Sequence, residues 1–400
     1  MGKPLDGVRV IELAAHIAGP SCGRLLCDLG AEVIKIEPGT GDPWRKTGIG
    51  YCPNRYSMEE NPSYDICNTG KKSVVLDLKS GDGKKAMRKL LSTADIFFTN
   101  FRPDALKRLG LHYDEIRPEF PGLIYGISLG FGEKGPEAPK KAMDVTAFWA
   151  RTGFLRDQAL LEDDHPMFPP WCVGDTAVGT QLALELTAAY VNKLRTGKGD
   201  LVKSGLFQEG VFLFGHMITI TQPPYGKSFP QKRLDHATDY DFRCKNDSYV
   251  MVSLVGGDKT LFAIFRMLGH EEWCTDSRFE NAAKRREHKP EIYALLCEAF
   301  LEKEAKEWSE LALTYDVPVT VMPHYSELSS DEQAWANGYL ERVTYPNGNE
   351  NVLPRSPICM ESVGDIFTEP AHTIGQDTEE VLRSIGFYEE KEDQDHGETT

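Results

Sequence analysis

Asp175, between Gly174 and Thr176 at the head of an apolar periodic segment, is the side chain best placed for covalent chemistry. There a carboxylate meets free backbone N–H groups and the positive end of the helix dipole, which favour an ionised nucleophile. Aspartate is equally a favoured helix cap, so position alone leaves both roles open. Lys71 and Lys72 precede a strand, where they read as phosphate partners or as solvated turn residues; His16 is a ligand contact or a packed ring, and Asn100 a contact or a turn former. Phe131, Phe148, Trp149 and Trp171 could line an apolar pocket or belong to the core. Gly130-Phe131-Gly132-Glu133-Lys134-Gly135 has the spacing of a dinucleotide fingerprint. That fingerprint needs its third glycine inside a helix, and Pro136 and Pro139 make this stretch a loop. No G-x-x-x-x-G-K-[ST] run and no nucleophile elbow is present. Nine cysteines without a C-x-x-C pair suggest reduced thiols and no zinc site.

The elements that must position these residues read as α/β. Val8 to Leu13 is a strand, Gly19 to Leu29 a helix stopped by Gly30, and Glu32 to Glu37 a second strand, which together make one βαβ unit. The pattern recurs in Ser73 to Leu78, the helix Asp82 to Thr93, Asp95 to Asn100 and Leu123 to Leu129, predicting a doubly wound parallel sheet. Val178, Leu182, Leu184, Leu186, Ala189 and Val191 fit a long helix over Asp175 to Leu194, and a second apolar helix spans Gln208 to Thr221. The Pro- and Gly-rich stretch Gln222 to Gly226 reads as a linker. A large domain over residues 1–221, a smaller α+β domain over 222–331 and a return to the first over 332–400 are therefore expected. The 400 residues are 40% hydrophobic, enough for real cores, and carry a formal charge of −16, which argues against a nucleic-acid surface. No apolar run reaches the length of a membrane helix, and the N-terminus lacks the apolar core of a secretion signal, so a cytoplasmic protein is expected. The acidic end after Glu389 reads as a solvated tail.

Several separated segments, taken in order, resemble the family III CoA-transferases. They are Val10-Ile11-Glu12-Leu13 with Ala18-Gly19-Pro20, Leu29 to Glu37, Gly41-Asp42-Pro43-Trp44-Arg45, Asn68 to Ser73, Asn100-Phe101-Arg102-Pro103, Gly174-Asp175-Thr176 and Thr196-Gly197-Lys198-Gly199. The resemblance implies a ring-like chain whose two copies interlock as a homodimer, with coenzyme A as co-substrate and no permanently bound cofactor. It places the nucleophile at Asp175. Coenzyme A contacts are implied at His16, Ile17 and Ala18, at Lys71 and Lys72, and at Asn100, Phe101 and Arg108; Pro38 departs from members with an arginine there. Gly174 would let a bulky thioester approach the backbone. A glycine loop that closes over the aspartate is implied at Gly256 and Gly257, where a tight strand-to-helix turn is the competing reading.

An aspartate can exchange coenzyme A between acids without ATP, through an anhydride and then an aspartyl thioester. Racemases of the same superfamily place a histidine base before the aspartate in the segment matching Ala142-Met143-Asp144, and Met143 cannot take that proton. A non-catalytic coenzyme A-binding protein is the remaining alternative. The segments 148–153, 331–340 and 345–350 look most like the branch that activates 2-hydroxy acids such as 2-hydroxyisocaproate and phenyllactate in the amino-acid fermentations of anaerobes, with a 2-enoyl-CoA as donor. Phe131, Phe148 and Trp149 are the residues expected to face the acyl group.

Overall fold

The computed structural model describes residues 2–51, 57, 60–157, 161–162, 165–226, 239–253 and 257–388. The chain divides into a larger unit, residues 1–156, 168–227 and 332–400, and a smaller one, 157–167 and 228–331.

The larger unit is built on six parallel strands: β1 Arg9–Leu13, β2 Glu32–Glu37, β3 Lys72–Val75, β4 Ile96–Thr99, β5 Ile124–Leu129 and β6 Leu201–Gly205. Their order in the sheet, β3-β2-β1-β4-β5-β6, reverses direction between β1 and β4. Helices cover both faces, so the strands are buried on both sides rather than alternating, with Glu12, Lys35 and Glu37 among the buried residues. All four residues of β4, Ile-Phe-Phe-Thr, are buried. Ile11, Ile34, Val74 and Phe97 pack on one face with Met87 and Leu90 of the helix Gly81–Ser92. Val10, Val33, Ile96 and Phe98 pack on the other with Leu26 of α1 (Ala18–Asp28) and with Leu182 and Leu186 of the long helix Val173–Thr196. These two helices meet closely, because a Cβ on Gly179 would stand 2.6 Å from the Ala18 carbonyl. The sixth strand, Leu-Val-Lys-Ser-Gly, has too few apolar residues to announce itself, and pairs with β5 from Tyr125↔Leu201 to Leu129↔Gly205. The expected helix over 208–221 is two pieces, Leu206–Leu213 and Gly215–Ile220, interrupted at Phe214.

Residues 332–388 complete the larger unit. A hairpin of Leu340–Thr344 and Glu350–Pro354 sets the amides of Asn347, Asn349 and Asn351 on the fully buried Glu60, at 2.6, 2.6 and 3.0 Å. The Tyr345 hydroxyl donates to Asp65 at 2.7 Å. The smaller unit is α+β. Three antiparallel strands, Asp239–Arg243, Tyr249–Ser253 and Val319–Val321, pack Phe242, Val250 and Val252 against Phe265, Phe300 and Trp308. Among the described residues no helix is long and apolar enough to cross a membrane, and no group of three or more His, Cys, Asp or Glu side chains could hold a metal ion.

Candidate active site

In an open parallel sheet the connections leave in opposite directions where the strand order reverses, and a crevice opens at the carboxyl ends of the two strands. Here those strands are β1 and β4, and a cleft of about 520 Å³ lies at their ends. The β1 exit supplies Ala14, Ala15 and His16, the β4 exit Asn100, Phe101 and Arg102, and the long helix Asp175. A second hollow of about 470 Å³ continues past Asn100 and Phe101 towards His112, Gly132 and Lys140.

Asn100 ties the two exits together. Its side-chain oxygen accepts from Ala15 N–H at 3.1 Å, and its amide donates to the Ala15 carbonyl at 2.8 Å. Both ends of the amide are committed to the fold, although the residue lines the cleft. Gly19 is required beside it, because a Cβ there would stand 2.4 Å from Ala14 Cβ. His16 has φ +64°, uncommon for a side-chain-bearing residue, and its backbone N–H donates to Asp42 Oδ1 at 3.1 Å. That bond holds the unusual turn in place. Ala18 reaches the cleft, while Ile17 turns inward to pack with Trp44, Tyr64 and Cys67.

Beneath these turns runs a buried ion network. Lys35 Nζ bonds Glu12 and Asp42 at 2.9 Å each, Lys71 Nζ bonds Glu12 at 2.8 Å, and Arg45 bonds Glu37 at 2.7 Å. Burial opposes the Glu37 charge, yet the Arg45 hydrogen bonds and charge outweigh it and hold the carboxyl at about 2. Lys71 therefore departs from the expected phosphate contact: it is 2% exposed and its ammonium neutralises Glu12 inside the protein. Lys72 lies between Glu32 and Glu380, at 3.1 and 2.9 Å, and is absent from the cleft lining. Lys72 is the first residue of β3, an edge strand, and stands level with Ile34 and Ile11 rather than with the carboxyl ends of the strands. Arg108 is exposed on the last turn of the helix Pro103–Leu109 and does not line the cleft. Arg102, which follows β4 directly and lines both hollows, is the cation that the sequence reading passed over. Its place immediately after a strand at the switch point was the available signal.

Asp175 is the third residue of its helix, which starts at Val173 after Cys172 in the left-handed region at φ +65°. It is not the cap. The helix end is satisfied from another element, because Asp175 N–H donates to Asp144 Oδ1 at 3.0 Å. Asp144, 6% exposed, opens a π-helix over Asp144–Ala150. Gly174 is needed for this contact rather than for substrate approach: a Cβ there would lie 2.4 Å from Asp144 Oδ1 and 2.4 Å from Phe148 Cγ. The expectation of a permanently ionised nucleophile is also corrected. Burial, and then the neighbouring charge of Asp144, push the Asp175 carboxyl up to about 7. Met143, 54% exposed, lines the cleft with it.

The aromatic expectations divide. Phe148 and Trp149 are 2% and 7% exposed and pack with Phe154 and Phe214 at ring-centroid distances of 5.0 to 6.0 Å, so they support Gly174 from below and do not line the cleft. Phe131 packs near Phe207 at 6.5 Å, and Trp171 is exposed. Gly256 lies outside the described residues, and Gly257, at φ +65°, precedes the helix Asp258–Met267 of the smaller unit.

A doubly wound sheet with a half-buried carboxylate beside its switch-point cleft defines a Rossmann-like protein with a candidate nucleophile. The chain matches the model of CoA-transferase family III over residues 5–378 and belongs to that family. It is 38% identical to the (R)-2-hydroxy-4-methylpentanoate CoA-transferase of Clostridioides difficile, over 97% of this chain and 96% of that one. It is 35% identical to the cinnamoyl-CoA:phenyllactate CoA-transferase of Clostridium sporogenes, over 96% of this chain and 94% of the other. Among solved structures, a CAIB/BAIF family protein from Brucella suis superposes with a TM-score of 0.82 at 26% identity, covering 96% of this chain and all of that one.

Proposed function

We propose that this enzyme moves coenzyme A from an acyl-CoA donor, a 2-enoyl-CoA in its working direction, to a 2-hydroxy acid with a branched aliphatic or aromatic side chain. The observation that carries the reading is Asp175 in the wall of the switch-point cleft. The names of the two relatives above, both transferases of 2-hydroxy acids, support the substrate class. In this scheme an Asp175 oxygen attacks the thioester carbon, the C–S bond breaks, and coenzyme A leaves as thiolate. The thiolate then attacks the aspartyl carbonyl of the mixed anhydride and the donor acid departs as carboxylate. The incoming 2-hydroxy acid reverses both steps and leaves with coenzyme A. The main-chain turn at His16 and Ala18 and the side chains of Phe101 and Arg102 border the path that coenzyme A would take, with Arg102, which lines both hollows, available for its phosphates. Met143 favours transfer over racemisation, because a thioether beside Asp175 offers no base for an α-proton.

The protein is further proposed to act as a homodimer. Leu184, Val191 and Leu194 on the long helix and Phe212 and Leu213 after it leave large apolar surface exposed, which a second copy of the chain would cover.

The chemistry is tested by incubation with 2-hydroxy-4-methylpentanoyl-CoA and hydroxylamine, followed by intact-mass and peptide analysis. A hydroxamate on Asp175, absent in Asp175→Ala, is expected. Exchange that proceeds with Asp175 unlabelled overturns the covalent scheme. The substrate class fails if acetate or oxalate exceeds 2-hydroxy-4-methylpentanoate and phenyllactate in kcat/KM.

A further inference from the structure

We propose that Asp144 is a positioning residue whose carboxylate both fixes the backbone of Asp175 and, by its charge, drives Asp175 into its uncharged covalent form. The inference rests on the reading of Asp175 as nucleophile.

The geometry is specific. Asp144 is buried, and its Oδ1 accepts the Asp175 backbone N–H at 3.0 Å. Its Oδ2 is also buried, with the indole N–H of Trp149 nearby but no well-formed hydrogen bond closed between them. Burial raises the Asp144 carboxyl above its ordinary range in spite of the hydrogen bonds it accepts from the Asp175, Gly174 and Cys172 N–H groups, so its charge is only partly compensated. The sequence keeps room for it, since any side chain on Gly174 would collide with Oδ1. The π-helix that begins at Asp144 supplies the register, and such wide turns concentrate at functional sites. A cap alone would be served by a neutral oxygen; a charged one beside a second carboxylate costs stability unless the charge has a use.

The other ionisable groups that face the cleft do not duplicate this effect. Glu37, at the end of β2, and Asp42, from the loop after it, are neutralised by Arg45 and Lys35. His16, from the turn after β1, and Arg102, after β4, line the cleft, and Cys172 immediately precedes the helix, its thiol held protonated by burial and by the two aspartates.

The consequence follows from charge balance. While Asp175 is a free carboxylate, two anions share a half-buried space. When its oxygen attacks the thioester, its charge leaves on the coenzyme A sulfur, and in the thioester that forms next the charge leaves on the departing acid. In both covalent states Asp144 is the one anion left of the pair, so its repulsion raises the free enzyme relative to the intermediates.

Asp144→Asn separates charge from geometry, because the amide oxygen can still accept the Asp175 N–H. Removing the like charge is expected to move the acidic limb of kcat/KM down by about one pH unit. It is also expected to lower the population of the covalent states, and with it the initial rate at which hydroxylamine traps Asp175 as hydroxamate, about tenfold. A folded Asp144→Asn protein with both readouts unchanged overturns the proposal. The wild type provides a measurement that needs no variant, since an acidic limb near the ordinary carboxylate range, instead of near 7, also overturns it. If wild-type Asp175 is not labelled while exchange proceeds, the nucleophile assignment fails and this inference with it. Labelling of Asp175 with no response to Asp144→Asn removes this inference alone.

Discussion

At the residue scale, the chemistry and the stability of Asp175 pull in opposite directions. Its carboxyl is raised to about 7 by burial and by Asp144, so between its ordinary range and pH 7 the folded protein holds a proton that the unfolded chain has released. Stability from that proton is fully present below about pH 4 and is lost as the pH rises through 7. Asp175→Asn should therefore abolish exchange, with a loss of at least about 10³-fold in kcat. At pH 8 the same substitution should raise Tm by roughly 2 °C, and the gain should vanish below about pH 4. Differential scanning fluorimetry across that range checks it, and a wild type that melts above the variant at pH 8 contradicts it. The sequence made the position of Asp175 legible and its environment obscure. Asp144 lies 31 residues earlier and belongs to a π-helix, for which no apolar periodicity exists to be read. The helix also begins before the aspartate because Cys172 takes a left-handed conformation usually left to glycine.

At the scale of elements, the helix start is fixed by a missing Cβ. Gly174→Ala would press a methyl group into Asp144 Oδ1 and Phe148, both buried and unable to retreat freely. We expect a destabilisation of about 1–3 kcal/mol, measurable by urea unfolding, together with loss of exchange. A variant with unchanged midpoint would show that the π-helix yields without cost. Strands β1, β2, β4 and β5 were legible because each carries a cluster of β-branched or aromatic residues, such as Val10-Ile11, Val33-Ile34 and Ile96-Phe97-Phe98, bounded by turn signals. β6 was not, since Lys203 and Ser204 interrupt it, and its strand character comes from pairing with β5. The aromatic residues misled for a related reason: composition identifies Phe148 and Trp149 as apolar, but only the packing of the helix Leu206–Leu213 and its successor directs them to the core.

At the scale of the molecule, a few cations are buried to hold distant segments together. Lys35, Lys71 and Arg45 are spent on Glu12, Asp42 and Glu37 beneath the cleft, links between distant parts of the sequence that no local pattern encodes. Lys35→Met strips Asp42 of its buried ion-pair partner and leaves Glu12 with Lys71 alone, and should cost about 3–5 kcal/mol. Chemical denaturation measures it, and a change below about 1 kcal/mol would mean that water enters the network. Glu37, held at about 2, contributes stability present above its ordinary range and lost as the pH falls towards 2. Acid unfolding that steepens below pH 4 is the expected signature. The exposed Leu184, Leu194 and Phe212 predict a dimer in sedimentation velocity at micromolar concentration, and Leu194→Asp should weaken it; a monomer at high concentration contradicts the proposal.

The double clasp between Asn100 and Ala15 has an implication for turnover. Because one amide holds both loops that border the switch point, neither can shift without breaking two hydrogen bonds, and the crevice floor behaves as a single rigid plate. An enzyme that alternates between two different acids on one nucleophile cannot reshape such a floor for each of them. Accommodation falls instead to the rim, where Met143 offers an unbranched, polarisable chain that changes rotamer at little cost. Under the proposed function, two duties would be separated in space: a fixed base for what every substrate shares, the coenzyme, and a pliant edge for what distinguishes one acyl group from the next.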